Sequence, residues 1–371
     1  MGLKVCNRCL MDSSDPEIKF DDKGFCNHCI KHFFELPNRV WFGAESKKQL
    51  EALIQNIKER KNKTYDCLIG LSGGTDSSYL AFIVKKFDLK PLAVHLDNGW
   101  NSELAVKNIE TLVKKLDIDL YTHVIDWEEF KDIQLSFIKS STPDGEIPSD
   151  HAINALMFKI ARRHNIKYIL SGMNYMTESI MPRKWAYGHL DWNYINSVHR
   201  KFGLKKIKTY PRLSILELGY IILFKRIKYV SLLNYIQYDK EKAIRTLEKI
   251  GWKPYQNKHG ESIYTRFYQS YYLPKKFGID KRKAHLSNMI LANQINREEG
   301  ISVLKKPIRP KNEIDSDLDY VIKKFNLSYS DFQKLVELPN KSFKDYNNNE
   351  SKIKILKRLF NFLRSLSLFS K

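Results

Sequence analysis

Residues 68–78 join a short apolar run (Leu68, Ile69, Leu71) to Ser72-Gly73-Gly74-Thr75-Asp76-Ser77-Ser78. Tyr79, Leu80, Phe82, Ile83 and Val84 then follow at helical spacing. A strand feeding a helix through such a loop gathers paired glycines, several hydroxyls and a row of backbone N–H groups at a helix N-terminus. Unsatisfied amides and the helix dipole both favour an anion there. No lysine follows the glycines, so the G-x-x-x-x-G-K-[ST] phosphate loop does not fit. Serine and threonine hydroxyls take over as donors, which suits a pyrophosphate that must be held and then released.

A second constellation lies near the N-terminus. Cys6-x-x-Cys9 and Cys26-x-x-Cys29 are two pairs sixteen residues apart. Each pair offers two thiolates from a tight knuckle, and together they complete a tetrahedral four-sulfur shell. A structural zinc ribbon is favoured over an iron–sulfur cluster, and over disulfides in a reducing compartment. Asp21-Asp22-Lys23-Gly24 between the pairs reads as the hairpin turn that brings them together. Closed by four thiolates, such a site stabilises a small domain and leaves no position for catalysis.

These residues need a scaffold, and the chain between them alternates. After a polar helix over 46–60, strands are expected at 65–71, 91–96, 120–125 and 167–171. Helices are expected at 77–86, 102–116, 128–139 and 151–164, with a Pro- and Gly-containing loop at 142–148. Such alternation predicts a doubly wound parallel α/β sheet, with ligands beyond the carboxyl ends of the strands. The Ser72 loop, Asp97 and Gly172 then converge on one pocket, and Asp150-His151 opens a helix on the same rim. A turn aspartate, a conformational glycine and an N-cap are the plain alternatives for these three places. From 175 to about 300 the alternation stops. Residues 214–236 read as a buried helix, or more sharply as a surface for a partner protein. The stretch 252–299 collects Lys, His and Arg among Tyr, Phe and Gly. After Asn347-Asn348-Asn349, read as a linker, the tail through Arg364 mixes basic and apolar residues, as an interfacial helix on anionic lipid would. Docking of that helix on the protein itself is the alternative.

Size and charge set bounds. With 371 residues the chain exceeds an average single domain. It has no signal-peptide pattern and no apolar run able to span a bilayer, so a cytoplasmic location, with peripheral contact at the inner membrane face, is expected. A net charge of +21 calls for anionic partners without choosing among them.

The 72–78 loop resembles the PP-loop of ATP pyrophosphatases (adenine nucleotide alpha hydrolase-like). From Cys6 to about Glu299 the chain resembles the N-acetyl sugar amidotransferase family of that superfamily, found in bacterial surface-polysaccharide synthesis. The resemblance is carried by Val5-Cys6-Asn7-Arg8-Cys9, Cys26/Cys29, Ser72–Ser78, Ser149-Asp150-His151-Ala152 and Glu178-Ser179-Ile180-Met181-Pro182-Arg183. It continues in Lys258-His259-x-Glu261-Ser262-x-x-Thr265-Arg266-Phe267 and in Phe277-Gly278-Ile279-Asp280-Lys281-Arg282. Gln256-Asn257 departs from the glycines expected before the Lys-His pair. The chain divides into four expected parts: a ribbon at 1–36, a PP-loop domain at 46–210, a mainly helical substrate or partner region at 211–310 and a basic extension at 311–371, the residues past 300 carrying no resemblance. The resemblance implies conversion of an acetamido to an acetamidino group on a nucleotide-activated sugar, with ATP split to AMP and pyrophosphate.

In that scheme Ser72, Gly73, Gly74, Thr75, Ser77 and Ser78 hold the pyrophosphate, Asp97 and Gly172 line the nucleotide pocket, and Asp76 organises Mg²⁺. Lys258 and His259 stabilise charge or move a proton, Glu261 acts as base or metal ligand, and Lys281 and Arg282 contact phosphates. Asp150, His151, Glu178, Arg183 and Arg266 face the sugar, while Cys6, Cys9, Cys26 and Cys29 hold Zn²⁺. Nothing in the chain resembles a glutaminase, so a separate glutaminase and a barrel-type channelling subunit are expected to deliver ammonia. Two rivals stand beside this reading. One is a tRNA-modifying PP-loop enzyme, a lysidine-type ligase or a thiolase, although nucleic acid is the less favoured partner. The other is a zinc-ribbon scaffold that binds ATP without turnover.

Overall fold

The computed structural model describes residues 2–60, 64–255 and 260–365. At its centre lies a five-stranded sheet: β1 (Cys67–Gly70), β2 (Pro91–Asp97), β3 (Asp119–Val124), β4 (Tyr168–Ser171) and β5 (Lys228–Ser231), in the order β3-β2-β1-β4-β5. Every pairing is parallel, with Ile69 opposite Ala93 on one side and Leu170 on the other. The strand order reverses beside β1, so the crevice beyond the carboxyl ends of β1 and β4 is the switch point where ligands bind in such sheets.

Helices cover both faces, as a parallel sheet requires. Before the sheet come α1 (Asn27–Glu35) and α2 (Gly43–Glu59). Between strands lie α3 (Thr75–Lys86), α4 (Glu103–Leu116), α5 (Trp127–Ser140), α6 (Ile147–Arg163), α7 (Tyr175–Glu178), α8 (Trp192–Phe202) and α9 (Ile215–Leu223). Beyond β5 follow α10 (Lys240–Glu248), α11 (Ile263–Phe267), a π-helical stretch (Tyr268–Phe277), α12 (Arg282–Leu291), α13 (Arg297–Lys305), α14 (Lys311–Lys324), α15 (Tyr329–Glu337) and α16 (Glu350–Ser365). Alternate strand residues point to opposite faces. Cys67, Ile69 and Leu170 join the core under α2, α3, α4 and α10, while Leu68, Val94 and Ile169 join the larger core under α5, α6 and α8.

Three expectations change. Residues 214–236 do not form one helix: Arg226 takes a left-handed φ of 53° after α9, and the chain extends into β5, so the sheet reaches past residue 210. Residues 311–346 are not an extension, because Leu318, Val321, Phe325, Phe332 and Phe343 are buried in the larger core. Asn347–Asn349 is not a free linker either: the backbone and side-chain nitrogens of Asn349 both donate to Asp191, and Glu350 pairs with Arg183 at 2.8 Å. Among the described residues no helix is long and apolar enough to cross a membrane.

Candidate active site

At the end of β1 the backbone turns through Gly73, whose φ of 79° suits glycine. A Cβ there would stand 2.6 Å from the Ala105 carbonyl oxygen, so helix α4 packs directly on the loop. The Ser72 amide donates to Ser77 Oγ at 3.2 Å, the Ser72 and Ser77 hydroxyls lie 3.0 Å apart, and Ser77 Oγ donates to the Gly74 carbonyl at 3.1 Å. Gly74 caps α3 and has no side chain to occupy the first-turn amides. Those amides, with the accessible hydroxyls of Ser72, Thr75 and Ser77, fit a phosphate group. Ser78 is fully buried and its hydroxyl has no partner among the described residues, so it is not among the accessible donors of the loop.

Neighbouring strand ends lock this loop. His95 Nδ1 bonds the Leu71 carbonyl at 2.9 Å and its Nε2 accepts from Asn101 at 3.0 Å, which fixes one neutral tautomer; burial lowers its pKa. Asn101 also donates to Asp97 at 3.2 Å. A Cβ on Gly172 would meet the Asp76 carbonyl oxygen at 2.8 Å, so the end of β4 touches the start of α3. From the C-terminal half, Trp252 Nε1 and Tyr255 OH both donate to the Gly73 carbonyl at 3.0 Å, and the Tyr238 hydroxyl donates to Asp76. Sequence reasoning missed these three aromatics, since no local pattern marks a contact that spans so much chain.

Glu261 reaches the same place. Its carbonyl accepts from the Ser102 amide at 2.9 Å, and Ile263 N donates to the Trp100 carbonyl at 2.9 Å, forming an antiparallel bridge beside α4. Its carboxyl carbon lies 3.4 Å from where a Cβ on Gly74 would stand. Glu261 thus brings a hard oxygen donor beside the loop, while Asp76 accepts from Tyr238 and Asp97 from Gly99 and Asn101; among the described residues these three carboxylates do not gather into one metal-binding cluster. Lys258 and His259 lie outside the described residues.

The crevice continues along the start of α6. Asp150 is exposed to solvent at the start of α6; the protein crowded around its carboxyl, and secondarily the charge of Glu146, push its pKa up to about 7. Glu146 pairs with Lys281 at 2.7 Å and accepts from Gln269. Tyr229 lies within electrostatic reach of both Glu178 and Asp150, which links this wall to the end of β4.

Other expected substrate and phosphate residues have structural partners. His151 is buried, bonds the His189 carbonyl through Nδ1 at 2.7 Å and accepts the Leu213 amide on Nε2 at 3.1 Å. Arg266 forms a two-pronged pair with Asp317. Arg183 pairs with Glu350, and Arg282 binds Asp280 and the carbonyls of Val303, Leu304 and Lys306 at the end of α13. Arg282 therefore clamps a helix end, and Lys281 reaches the cleft only as the partner of Glu146.

The four cysteines form a separate centre. Their sulfurs lie within 4.8 Å of one another, with Cys6–Cys29 at 3.9 Å, Cys9–Cys26 at 3.7 Å and Cys26–Cys29 at 3.6 Å. A tetrahedron with zinc–sulfur bonds of ~2.3 Å has edges of ~3.8 Å. The amides of Arg8, Met11 and Cys26 point at these sulfurs, as knuckles around a metal do. Gly24, with a φ of 76°, makes the expected turn between the pairs. The donor set fits zinc. Cys67 is wholly buried in the sheet, and burial raises its pKa, so it is no reactive thiol.

The parallel sheet carries the Ser-Gly-Gly loop at a helix N-terminus, the arrangement that the resemblance to PP-loop enzymes implies. Residues 261–360 match the family model of LPS biosynthesis protein WbpG-like C-terminal domains. The match begins at Glu261, beside the loop. An uncharacterized protein of Methanocaldococcus jannaschii is 27% identical over 172 residues, 45% of this chain and 58% of that protein. The tRNA(Ile)-lysidine synthase of Chlamydia pneumoniae is 31% identical over 90 residues (24% and 27%), and the glutamine-hydrolyzing GMP synthase of Thermus thermophilus is 31% identical over 116 residues (31% and 22%). The chain thus spans less than two thirds of the length of each of these relatives. The NMN synthetase of Francisella tularensis aligns over 81% of this chain and 99% of its own at 13% identity, with a TM-score of 0.32.

Proposed function

We propose that this protein is an ATP-dependent C–N ligase that replaces the oxygen of a sugar acetamido group with nitrogen. The observation that carries the reading is the meeting of the Ser72–Ser77 loop with Glu261, the first residue of the WbpG-like segment. An amide oxygen is a poor leaving group. In the proposed reaction it attacks the α-phosphorus of ATP, pyrophosphate departs into the loop, ammonia adds to the activated carbon, and AMP leaves to give the amidine. Bound Mg²⁺ would neutralise the phosphates, held by Asp76, Asp97 or Glu261. The first-turn amides of α3 and the hydroxyls of Ser72, Thr75 and Ser77 would take the charge that develops on pyrophosphate. Asp150, with a pKa near neutrality, is suited to receive a proton from the attacking nitrogen. Partial likeness to a tRNA(Ile)-lysidine synthase and to a glutamine-hydrolyzing GMP synthase, both synthases by name, supports the reading of a ligase-type enzyme.

The test supplies the isolated chain with ATP, Mg²⁺, ammonium and a panel of nucleotide-activated acetamido sugars. AMP release coupled to exchange of O for NH in one sugar is expected. Release dependent on tRNA and not on any sugar would favour the lysidine-type rival, and ATP binding without turnover the scaffold. A separate glutaminase and a channelling subunit belong to the same proposal. Glutamine should not replace ammonium when the chain is alone, and efficient glutamine use by the isolated chain would remove that part.

A further inference from the structure

Helix α9 turns only Ile221 fully inward. Leu216, Tyr220 and Phe224, spaced four apart and so along one stripe, are 84%, 45% and 72% exposed, with the Tyr220 and Phe224 rings stacked at 5.3 Å. A protein in water does not leave a Leu and a Phe this far out on adjacent turns without a consequence for binding. Beside the stripe, between α6 and α9, lies a cavity of about 380 Å³ lined by Lys159, Arg162, Arg163, Leu213, Glu217 and Ile221. Lys159, Arg162 and Arg163 make no ion pair among the described residues. Arg212 precedes the helix, and Lys225, Arg226 and Lys228 follow it.

The acid of the cavity, Glu217, is engaged by its own helix start, where it accepts the Ser214 amide at 2.9 Å. Glu217 keeps its charge and faces Lys159 and Arg212, but around the apolar stripe cations outnumber it: Lys159, Arg162, Arg163, Arg212, Lys225, Arg226 and Lys228.

We propose that α9 and the α6–α9 cavity dock this protein on an anionic phospholipid bilayer, with Leu216, Tyr220 and Phe224 entering the interface and the α6 cations holding lipid phosphates. Charge complementarity selects this occupant. A predominantly cationic rim around protruding apolar side chains matches a negatively charged leaflet. The inference is independent of the reaction proposed above. It also assigns membrane contact to the edge of the sheet, not to the basic tail.

Co-sedimentation of the full chain with vesicles tests it, using phosphatidylcholine alone and phosphatidylcholine with roughly one third phosphatidylglycerol. Binding should need the anionic lipid and weaken as salt is raised. The double variant L216S/F224S and the double variant R162E/R163E should each bind at least about tenfold more weakly. These residues are exposed, so thermal melts should match the parent, and either variant serves if the other fails to fold. K352E/K354E, in the tail, should bind within about twofold of the parent. Equal binding to neutral vesicles, parental binding by both α9 and α6 variants, or loss confined to the tail variant would overturn the proposal. So would a parent chain that ignores lipid and uses this stripe to hold a protein partner.

Discussion

Asp150 and His151 are neighbours in the chain with opposite surroundings. Asp150 is exposed at the start of α6 with its pKa up near 7; if it takes the proton from nitrogen, the rate under saturating ATP should rise with pH until about 7 and then level. Asp150→Asn should lower kcat by about 10²-fold or more with little change in KM for ATP. An unchanged kcat with a raised sugar KM would make it a binding group. His151 is buried, and burial brings its pKa down to about 4. The unfolded chain takes up a proton near 6.5 while the folded one resists to about 4. This contribution to stability is complete above 6.5 and is lost as pH falls toward 4, up to about 3 kcal/mol. Urea melts at pH 7 and 4.5 should show the loss, and His151→Gln should flatten the slope.

At the scale of elements, the loop is held from three sides, and its glycines report on the contacts. Gly172→Ala would drive a methyl into the backbone at the start of α3, costing about 1–3 kcal/mol, and should weaken ATP binding more than it lowers the melting temperature would suggest. Calorimetric ATP titration with a parallel melt checks this, and parental ATP affinity would show that α3 yields. Much of this unit was legible beforehand. Period-two and helical patterns placed β1 to β4 and their helices, and the Ser-Gly-Gly string placed the turn between β1 and α3, because strand–loop–helix geometry is local in sequence. β5 was not, since residues 214–236 read as one mostly apolar stretch interrupted only by Lys225, Arg226 and Lys228, and nothing there marks the left-handed turn at Arg226 that ends α9 and starts the strand. Tyr238, Trp252 and Tyr255 were invisible for another reason: an aromatic donor on a distant carbonyl leaves no spacing to read. Arg183, Arg266 and Arg282 were over-read, because a basic residue in an active-site-like motif looks the same whether it meets phosphate or a buried aspartate.

Across the whole molecule the four-cysteine ribbon is bonded to the C-terminal helices and to the end of α7. Leu10 N donates to Ser287 Oγ at 3.0 Å, Lys283 pairs with Asp12 at 2.6 Å and Arg297 reaches the Cys6 carbonyl at 3.1 Å. His32 Nδ1 meets Ser179 Oγ at 2.7 Å, next to Glu178. Removing the metal with a chelator should therefore loosen α7 and α12 as well as the ribbon, seen as faster hydrogen exchange at 175–180 and 282–291, and lower kcat even though no cysteine touches the nucleotide. Exchange changes confined to residues 5–30 would show that the ribbon stands alone.

The aromatic pins on Gly73 and Asp76 carry a consequence for synthesis. The Ser72 loop leaves the ribosome long before Tyr238, Trp252, Tyr255 and Glu261 do, and domains tend to fold as they emerge. A nascent chain can build its first four strands while its phosphate grip still lacks these braces, so the site matures only late in translation. Ribosome-stalled chains ending near residue 230 should accordingly be folded in part yet blind to ATP, a safeguard against half-made molecules consuming nucleotide.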